Sequence, residues 1–482
     1  MMEELEILRI LNHYNPWWNN KPIPKSKTSS FKRGDFYIIK GTLEKKEIIS
    51  IVGPRRVGKT ILIHQLIKDL LDNGVNSKKV FYLSVDEMEL QKGGAGLRDI
   101  LETYSKYVLK ESFDSLKDTC YLFLDEIQEI PDWERILKNW YDFGHNIKYV
   151  ISGSSSIWIS KGTEESLLGR IKTSVMMPMK FSEVLKYRDV LPKEFSMTKL
   201  AFREIIAQTT NNNNPEKLFD FFDKLIGRML PHKNRIEIEL NRYLTIGGYP
   251  EFLNETDYSS IAQAMRDKIR LIFFKDIIRY FKVRNPSVLE DLFKLLARSS
   301  GSYFNLADTA HILDIQRPTL RNYLKYLTKA YLIHSSEFYS ESRRKRIRKQ
   351  DKVYVSDPGV RNAVVDFLDE TLINYEDEMG VVVESVLFDH LTRLKFNLEP
   401  EPEPKIFYWK NKKEIDFILT VKRKPIPIES KYTDRIPGAT IDEINKFIKD
   451  NKSPFGIIIT KNRFELKENV LFIPLWIFLL VV

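Results

Sequence analysis

Cysteine is nearly absent. The 482 residues hold one, Cys120, which excludes an intrachain disulfide and a thiolate metal centre. Histidine is scarce as well, with seven scattered residues and no pair at ligand spacing, so no zinc site is expected. No apolar run reaches the ~20 residues a membrane-spanning helix needs. The longest, LFIPLWIFLLVV from Leu471, is interrupted by Pro474. It reads as a buried terminal core element or as a membrane or partner contact, and the first reading is taken, with no membrane partner. The N-terminus, MMEELEILRILNHYNPWWNN, carries early acids and no basic-then-apolar leader pattern, so a cytoplasmic location is expected. Charge of one sign is also in short supply. Lys and Arg number 76 against 66 Asp and Glu, a formal net charge of +10, which permits a polyanionic partner without identifying one. No internal repeat is visible.

What is there suffices for several cores: 43% of residues are hydrophobic and 29% charged, at a length suggesting about three domains. Residues 1–30 read as a short helix and a Pro- and aromatic-rich arm, with Trp17 and Trp18 packed on the body. From Phe36 to about Lys180, four apolar runs (EIISIVG, KVFYLSV, YLFLDE and KYVISGS) alternate with helical stretches. That alternation argues for an α/β domain with a parallel sheet and flanking helices. Residues 181–285 are mostly helical, with a solvated loop expected at Asn211–Asn214. Residues 286–375 hold three short helices and a hairpin. Residues 376–482 read as a helix, strands, a further helix and terminal strands, with Glu399–Pro404 an extended loop.

The strongest motif is GPRRVGKT, Gly53–Thr60, which fits G-x-x-x-x-G-K-[ST] between a strand and a helix. Gly53 and Gly58 let the backbone turn its N–H groups toward phosphates, and the helix N-terminus adds its dipole. The expected ATP-binding set is Gly53, Pro54, Arg55, Arg56, Val57, Gly58, Lys59, Thr60 and Ile61. Lys59 reaches the β- and γ-phosphates, and the Thr60 hydroxyl serves Mg²⁺. YLFLDEIQE ends an apolar strand in two acids. Asp125 is expected to hold Mg²⁺ through water, and Glu126 to orient or deprotonate the attacking water. At the tip of the next strand are Ser152, Ser154, Ser155 and Ser156. Ser154 is chosen as the γ-phosphate sensor, against plain turn chemistry. Arg170 is either an arginine finger or a surface residue in a salt bridge.

These segments carry a family likeness. GPRRVGKT, LFLDEIQEIPDWE, ISGSSS, ESLLGRIKTSVMMPMKFSEVL, YLTIGGYPEFL and DIIRYF resemble the archaeal and bacterial AAA-type ATPases with a C-terminal domain of restriction-endonuclease type. The resemblance spans nearly the whole chain and implies ATP binding and hydrolysis. It departs from the family pattern at about 190–240, where the helical lid lies. The implied organisation is an N-terminal arm and P-loop ATPase domain (1–180), a helical lid or connector (181–285), a winged helix with a basic wing (286–375) and a nuclease-like α/β domain (376–482). A finger acting in trans requires a homo-oligomer, and a ring is one closed arrangement of it.

Phe304–Ile315 and Gln316–Ile333 have a helix–turn–helix pattern. Leu306, Ala310 and Ile312 suit the first helix. Pro318 suits the first turn of the second, and Leu320, Tyr323, Leu324 and Leu327 form its inner stripe. Arg317, Thr319, Arg321 and Lys325 then face outward, as on a recognition helix; the alternative is a packing module. Arg343 to Lys352 holds seven basic residues and one acid. Arg343, Arg344, Lys345, Arg346, Arg348 and Lys349 are assigned to duplex or branched DNA phosphates.

The last region presents Glu384 on a helix, Asp416 in a hairpin and Glu429-x-Lys431 on a strand. Residues two apart on a strand share a face, so Glu429 and Lys431 point together. This order is similar to the PD-(D/E)xK nuclease arrangement, with Ile415 in place of the family proline. The similarity implies Glu384, Asp416 and Glu429 as Mg²⁺ or Mn²⁺ ligands, with Lys431 orienting water or stabilising charge. The other reading of Glu429 and Lys431 is a surface pair. Thr440 and Glu443 are expected to cap the next helix. Two functions stay open: an ATPase that binds and remodels or cleaves DNA, and a nucleotide-dependent switch that recruits nucleic acid or protein with an inactive nuclease-like domain.

Overall fold

The computed structural model describes residues 3–86, 94–154, 167, 169–192, 195–400 and 404–482. The chain divides into two compact units, Met1–Met177 and Pro178–Val482. The expected boundaries near 285 and 375 both fall inside the second. Ser155, Ser156, part of ESLLGRI and the centre of EPEPEP lie outside the described residues.

The first unit is built on five parallel strands: β1 (Ile48–Val52), β2 (Val80–Ser84), β3 (Cys120–Asp125), β4 (Ile147–Gly153) and β5 (Ile171–Val175). Their order is β2-β3-β4-β1-β5. The first four are the apolar runs of the sequence. β5 (IKTSV) was not expected, because it alternates polar residues and has no apolar run. It pairs in parallel with β1 as the sheet's half-exposed edge.

The opposite edge, β2, is covered by the N-terminal arm. Asn15 is fully buried; its side-chain amide donates to the Tyr82 carbonyl at 2.8 Å and accepts from the Tyr82 N–H at 2.7 Å. One side chain thus does what a neighbouring strand would do for an open edge. The buried indoles of Trp17 and Trp18 donate to the Val80 carbonyl at 2.8 and 3.0 Å.

The second unit opens with the helices Phe181–Tyr187, Phe195–Asn212, Glu216–Met229, Lys233–Ile246, Tyr258–Leu271 and Pro286–Arg298. The Asn-rich loop is shorter than expected, since the helix runs on to Asn212. It is also pinned: Lys424 Nζ donates to the Thr210 carbonyl at 3.0 Å and to Asn213 Oδ1 at 3.1 Å.

Helices Leu306–Ile312 and Arg317–Lys329 follow, with Leu320, Tyr323 and Leu327 buried as the stripe required. Ile312, one of the apolar residues expected to suit the first helix, is 67% exposed at the end of that short helix. The expected hairpin is β6 (Ile333–Phe338) with β7 (Lys352–Val355), antiparallel. The basic run between them forms a short helix, Arg343–Arg348.

This hairpin is not a separate wing. The end of β6 pairs in parallel with β8 (Phe407–Lys410). β9 (Glu414–Val421), β10 (Lys424–Ser430), β11 (Gly456–Thr460), β12 (Glu465–Lys467) and β13 (Val470–Pro474) complete one eight-stranded sheet, ordered β12-β13-β11-β10-β9-β8-β6-β7. This sheet joins strands from both sides of residue 375. The helix after β10, Gly438–Asn451, starts right after Pro437 with no side-chain cap. Thr440 therefore lies within its first turn, and the expected capping box does not form. The apolar C-terminal run ends β13 at Pro474 and continues as the buried helix Leu475–Val481, the core element expected, but helical. No helix among the described residues is long and apolar enough to cross a membrane.

Candidate functional site

The phosphate loop joins β1 to the helix Lys59–Asp72. Gly53 has φ +148°, and a Cβ there would lie 2.0 Å from the Met176 carbonyl oxygen at the end of β5. Gly58 has φ +101° and precedes the helix without a capping side chain, so the first-turn N–H groups face the loop's concavity. Lys59 is buried, and its Nζ donates to the Gly53 and Pro54 carbonyls at 2.8 Å each. The N-terminal arm straps this loop: Arg33 Nη1 donates to the Val57 carbonyl at 3.2 Å.

Asp125 ends β3 and is buried among three hydroxyls. Thr60 Oγ1 donates to its Oδ2 at 2.6 Å, Tyr82 OH to the same oxygen at 3.2 Å, and Ser152 Oγ to Oδ1. The two expected Mg²⁺-site residues, Thr60 and Asp125, are therefore in direct contact, and this oxygen pair fits a hard cation beside a phosphate loop. Burial and the Asp125 charge hold the Tyr82 phenol above its ordinary value, so it stays a donor. Glu126 follows with φ +55°, and its carboxylate accepts from Gln128. Burial raises the Glu126 carboxyl above its usual range, while the Lys59 and Arg55 charges oppose the rise. A carboxyl moved toward neutrality suits a group that takes a proton.

Tyr82, Ser152 and His64 were not among the expected site residues. His64 Nδ1 lies 2.8 Å from the Thr60 carbonyl, and its ring lies 4.4 Å from that of Tyr82. The four-residue spacing from Thr60 along a helix was the available signal for His64. Ser154 is buried immediately after β4, the strand that lies between β1 and β3. Arg170 is paired with Asp142, Nε to Oδ1 at 2.7 Å and Nη2 to Oδ2 at 3.1 Å, so within one chain it sits as the surface salt bridge of the alternative reading.

In the second unit, Arg317, Arg321 and Lys325, expected on a recognition helix, are exposed and Thr319 is half-buried. Arg343, Arg344, Lys345, Arg348 and Lys349 are exposed and Arg346 half-buried on the helix at the hairpin tip. The seventh cation of that run behaves differently. The Lys352 side chain is 3% exposed and its Nζ lies 3.1 Å from Glu384 Oε1. It also pairs with Glu414.

Lys352 belongs to an acid cluster. Glu384, Asp416, Glu429 and Lys431 lie in the same neighbourhood. Lys431 Nζ is 2.7 Å from Glu429 Oε1, the Asp416 N–H donates to Glu429 Oε2 at 3.2 Å, and the Ser430 N–H donates to Asp416 Oδ2 at 2.8 Å. Glu429 is only 4% exposed, so its pair with Lys431 is not the surface pair of the alternative reading. Tyr354 OH donates to Glu384 Oε1 at 2.8 Å, and Tyr303 OH donates to Glu414. Lys352 and Tyr354 were not expected here, because only the pairing of β6 with β8 brings the hairpin to this place; Tyr303 and Glu414, the latter two residues before Asp416 on β9, were missed as well. Burial and the neighbouring Asp416 charge push Glu384 up to about 7 and Glu429 up to about 8. As arranged, the set does not fit a metal: among the described residues no three carboxylate, His or Cys groups are disposed as ligands. Lys352 and Tyr354 take the Glu384 oxygen that a cation needs.

Comparison with known proteins divides the chain in three. Residues 45–185 match a family described as AAA domain, while residues 237–371 and 379–478 match two families described as domains of unknown function. An uncharacterized protein of Methanocaldococcus jannaschii is 28% identical over 94% of this chain and 89% of its own length. An uncharacterized protein of Haemophilus influenzae is 24% identical over 87% of this chain and 90% of its own. The AMPPCP-bound DnaA from Aquifex aeolicus is 13% identical over 64% of this chain and 90% of its own, at a TM-score of 0.26.

Proposed function

Taking residues 45–185 as a nucleotide-binding ATPase domain of AAA type, we propose that the chain hydrolyses ATP and uses the second unit to bind nucleic acid. The contact of Thr60 with Asp125 beside the phosphate loop is the observation that carries this reading. On nucleotide binding, Lys59 would exchange the Gly53 and Pro54 carbonyls for phosphate oxygens. Glu126 would orient a water and take its proton. Tyr82 and Ser152 would hold Asp125 in place. Thr60 and Asp125 would hold Mg²⁺, which supplies charge neutralisation at the phosphates when bound. Ser154 would face the terminal phosphate. Arg170 serves as a finger only if a second copy draws it away from Asp142, which requires a homo-oligomer.

Nucleic-acid contact rests on the exposed cations of the second helix of the helix–turn–helix and of the tip helix Arg343–Arg348. Duplex or branched DNA is the proposed partner, and the cytoplasm the proposed location. For the acid cluster, the self-satisfied arrangement around Lys352 favours a switch that binds DNA without cutting it. The convergence of Glu384, Asp416, Glu429 and Lys431 favours cleavage under conditions that open it.

A binding panel of linear duplex and four-way-junction DNA, with and without ATP and with Mg²⁺ or Mn²⁺, tests the reading. Binding that weakens steeply with salt and changes with ATP is expected. Affinity indifferent to salt removes the DNA assignment, and absence of cleavage on every substrate leaves the switch.

A further inference from the structure

Asp125, at the end of β3, is served by three hydroxyl donors. Glu126, the next residue, is held differently. Its backbone is left-handed, at φ +55° and ψ +43°, a conformation that strains a residue with a Cβ and that clusters at functional sites. It opens a single 3₁₀ turn, Ile127–Glu129. The Glu129 N–H donates to the Glu126 carbonyl and the Ile130 N–H to the Ile127 carbonyl, both at 3.1 Å. Ile127 is fully buried and anchors the turn. The chain therefore folds back at once, and the side chain of residue 128 meets that of residue 126.

That side chain is Gln128, and its Nε2 donates to Glu126 Oε2. An ionised carboxylate only accepts, so the contact fixes which end of the amide faces it. The other end, Oε1, is buried and accepts no hydrogen bond among the described residues. Buried polar atoms are nearly always paired, and an orphan beside a carboxylate calls for a donor such as an ordered water. Two acceptors thus lie side by side, the Glu126 carboxylate and the Gln128 carbonyl. A water has two O–H groups and can give one to each. The Lys59 and Arg55 charges act on the same carboxylate, so the pair belongs to the phosphate-loop site.

We propose that Gln128 is a positioning residue for ATP hydrolysis: its amide N–H holds the Glu126 carboxylate, and its carbonyl accepts one hydrogen of the attacking water while Glu126 takes the other as a proton. The water oxygen bonds to the terminal phosphorus as the bond from that phosphorus to the bridging oxygen breaks. ADP leaves with the bridging oxygen's electron pair, and the proton rests on Glu126. Two acceptors turn the water's lone pair toward the phosphorus, whereas one acceptor would leave the water free to rotate about a single hydrogen bond. The inference rests on the reading of Glu126 as the group that takes the proton, and it adds a residue outside that set.

The test is steady-state phosphate release by the full-length chain with Mg²⁺, alongside calorimetric ATP binding. Gln128→Met keeps the length of the side chain and removes both polar atoms. Its kcat should fall about tenfold or more, with KM and the Kd for ATP near those of the parent, the pattern of a group that acts on the chemical step. Adding Gln128→Met to Glu126→Gln should cost nothing further, because the two act on one water. If Gln128→Met fails to fold, Gln128→Asn, which keeps the amide but withdraws it by one methylene, should show the same loss of kcat. An unchanged kcat overturns the proposal. A raised kcat overturns it too, since the amide would then be a latch that restrains Glu126. KM and Kd rising together with the loss of kcat, or a further loss in the double variant, would reduce Gln128 to a structural contact. Any of these results with Glu126→Gln inactive leaves the ATPase reading standing, whereas a Glu126→Gln chain as active as the parent removes that reading and this inference with it.

Discussion

Gly53 gives the sharpest handle on the phosphate loop. A methyl group at this position would meet the Met176 carbonyl oxygen at 2.0 Å and its carbon at 2.9 Å. Ordinary contact needs more than 3 Å, so something must move by roughly 1 Å. Met176 has little room to retreat, because its N–H donates to the Val52 carbonyl at 2.7 Å, which ties the end of β5 to the end of β1. The clash costs about 1–3 kcal/mol as overpacking, and the φ of +148° adds about 1–3 kcal/mol for a residue with a Cβ. Gly58→Ala meets only the flexible Met176 Cε at 3.5 Å, and Gly144→Ala, at the end of the helix Trp133–Phe143, meets nothing within 4 Å. Both should show the backbone cost alone, about 1 kcal/mol. Denaturant unfolding should rank Gly53→Ala well below the other two. Calorimetric ATP titration should show binding weakened in Gly53→Ala and Gly58→Ala and preserved in Gly144→Ala. Equal stabilities for the three, or ATP affinity retained in Gly53→Ala, would refute the steric argument.

Further outcomes follow from the same geometry. Tyr82→Phe keeps the ring against His64 but removes a donor from Asp125; it should lower stability by about 1–2 kcal/mol and slow ATP hydrolysis, and an unchanged rate would show that Asp125 needs no such support. Replacing Arg343, Arg344 and Lys345 by Ala should reduce the slope of log affinity for DNA against log salt by up to ~0.9 for each phosphate no longer neutralised; an unaltered slope would place the DNA elsewhere on the protein. Asp357 is buried, accepts from the Gly248 and Val360 N–H groups at 2.9 and 3.1 Å, and faces the Lys268 and Asp389 charges. Burial pushes its carboxyl up to about 6. The folded chain thus holds a proton that the unfolded chain releases, so its contribution is intact below the ordinary carboxyl value and lost as pH rises toward 6. The stability of Asp357→Asn relative to the parent should therefore rise between pH 4 and pH 6.5, and a flat difference would contradict the assignment.

The first unit was largely legible in the sequence. Its apolar runs become strands wherever helices bury them, and GPRRVGKT fixes a loop whose geometry follows from two glycines. β5 escaped because an edge strand half exposed to water needs no apolar run. Asn15 escaped because nothing in its local sequence shows that an amide will complete the edge of β2. In the second unit, Glu429 lies on β10 and Lys431 just beyond its end, with the two side chains paired, as the two-residue spacing, a local signal, suggests. The role of Lys352 depends on β6 changing partner from β7 to β8, a long-range pairing with no local signature. A lysine in a run of cations reads as solvated until such a pairing buries it. Ile312 is on the expected helix yet exposed, because a seven-residue helix is too short for its apolar spacing to fix which face packs.

The central claim is that Lys59, Thr60, Asp125 and Glu126 form a working ATP-hydrolysing site. Steady-state phosphate release by the full-length chain, compared with Lys59→Ala and Glu126→Gln, tests it most directly. Turnover should be Mg²⁺-dependent in the parent. It should fall by two orders of magnitude or more in both variants, ~3 kcal/mol in barrier terms, with ATP binding lost in Lys59→Ala and kept in Glu126→Gln. Turnover that persists in both variants would contradict the assignment.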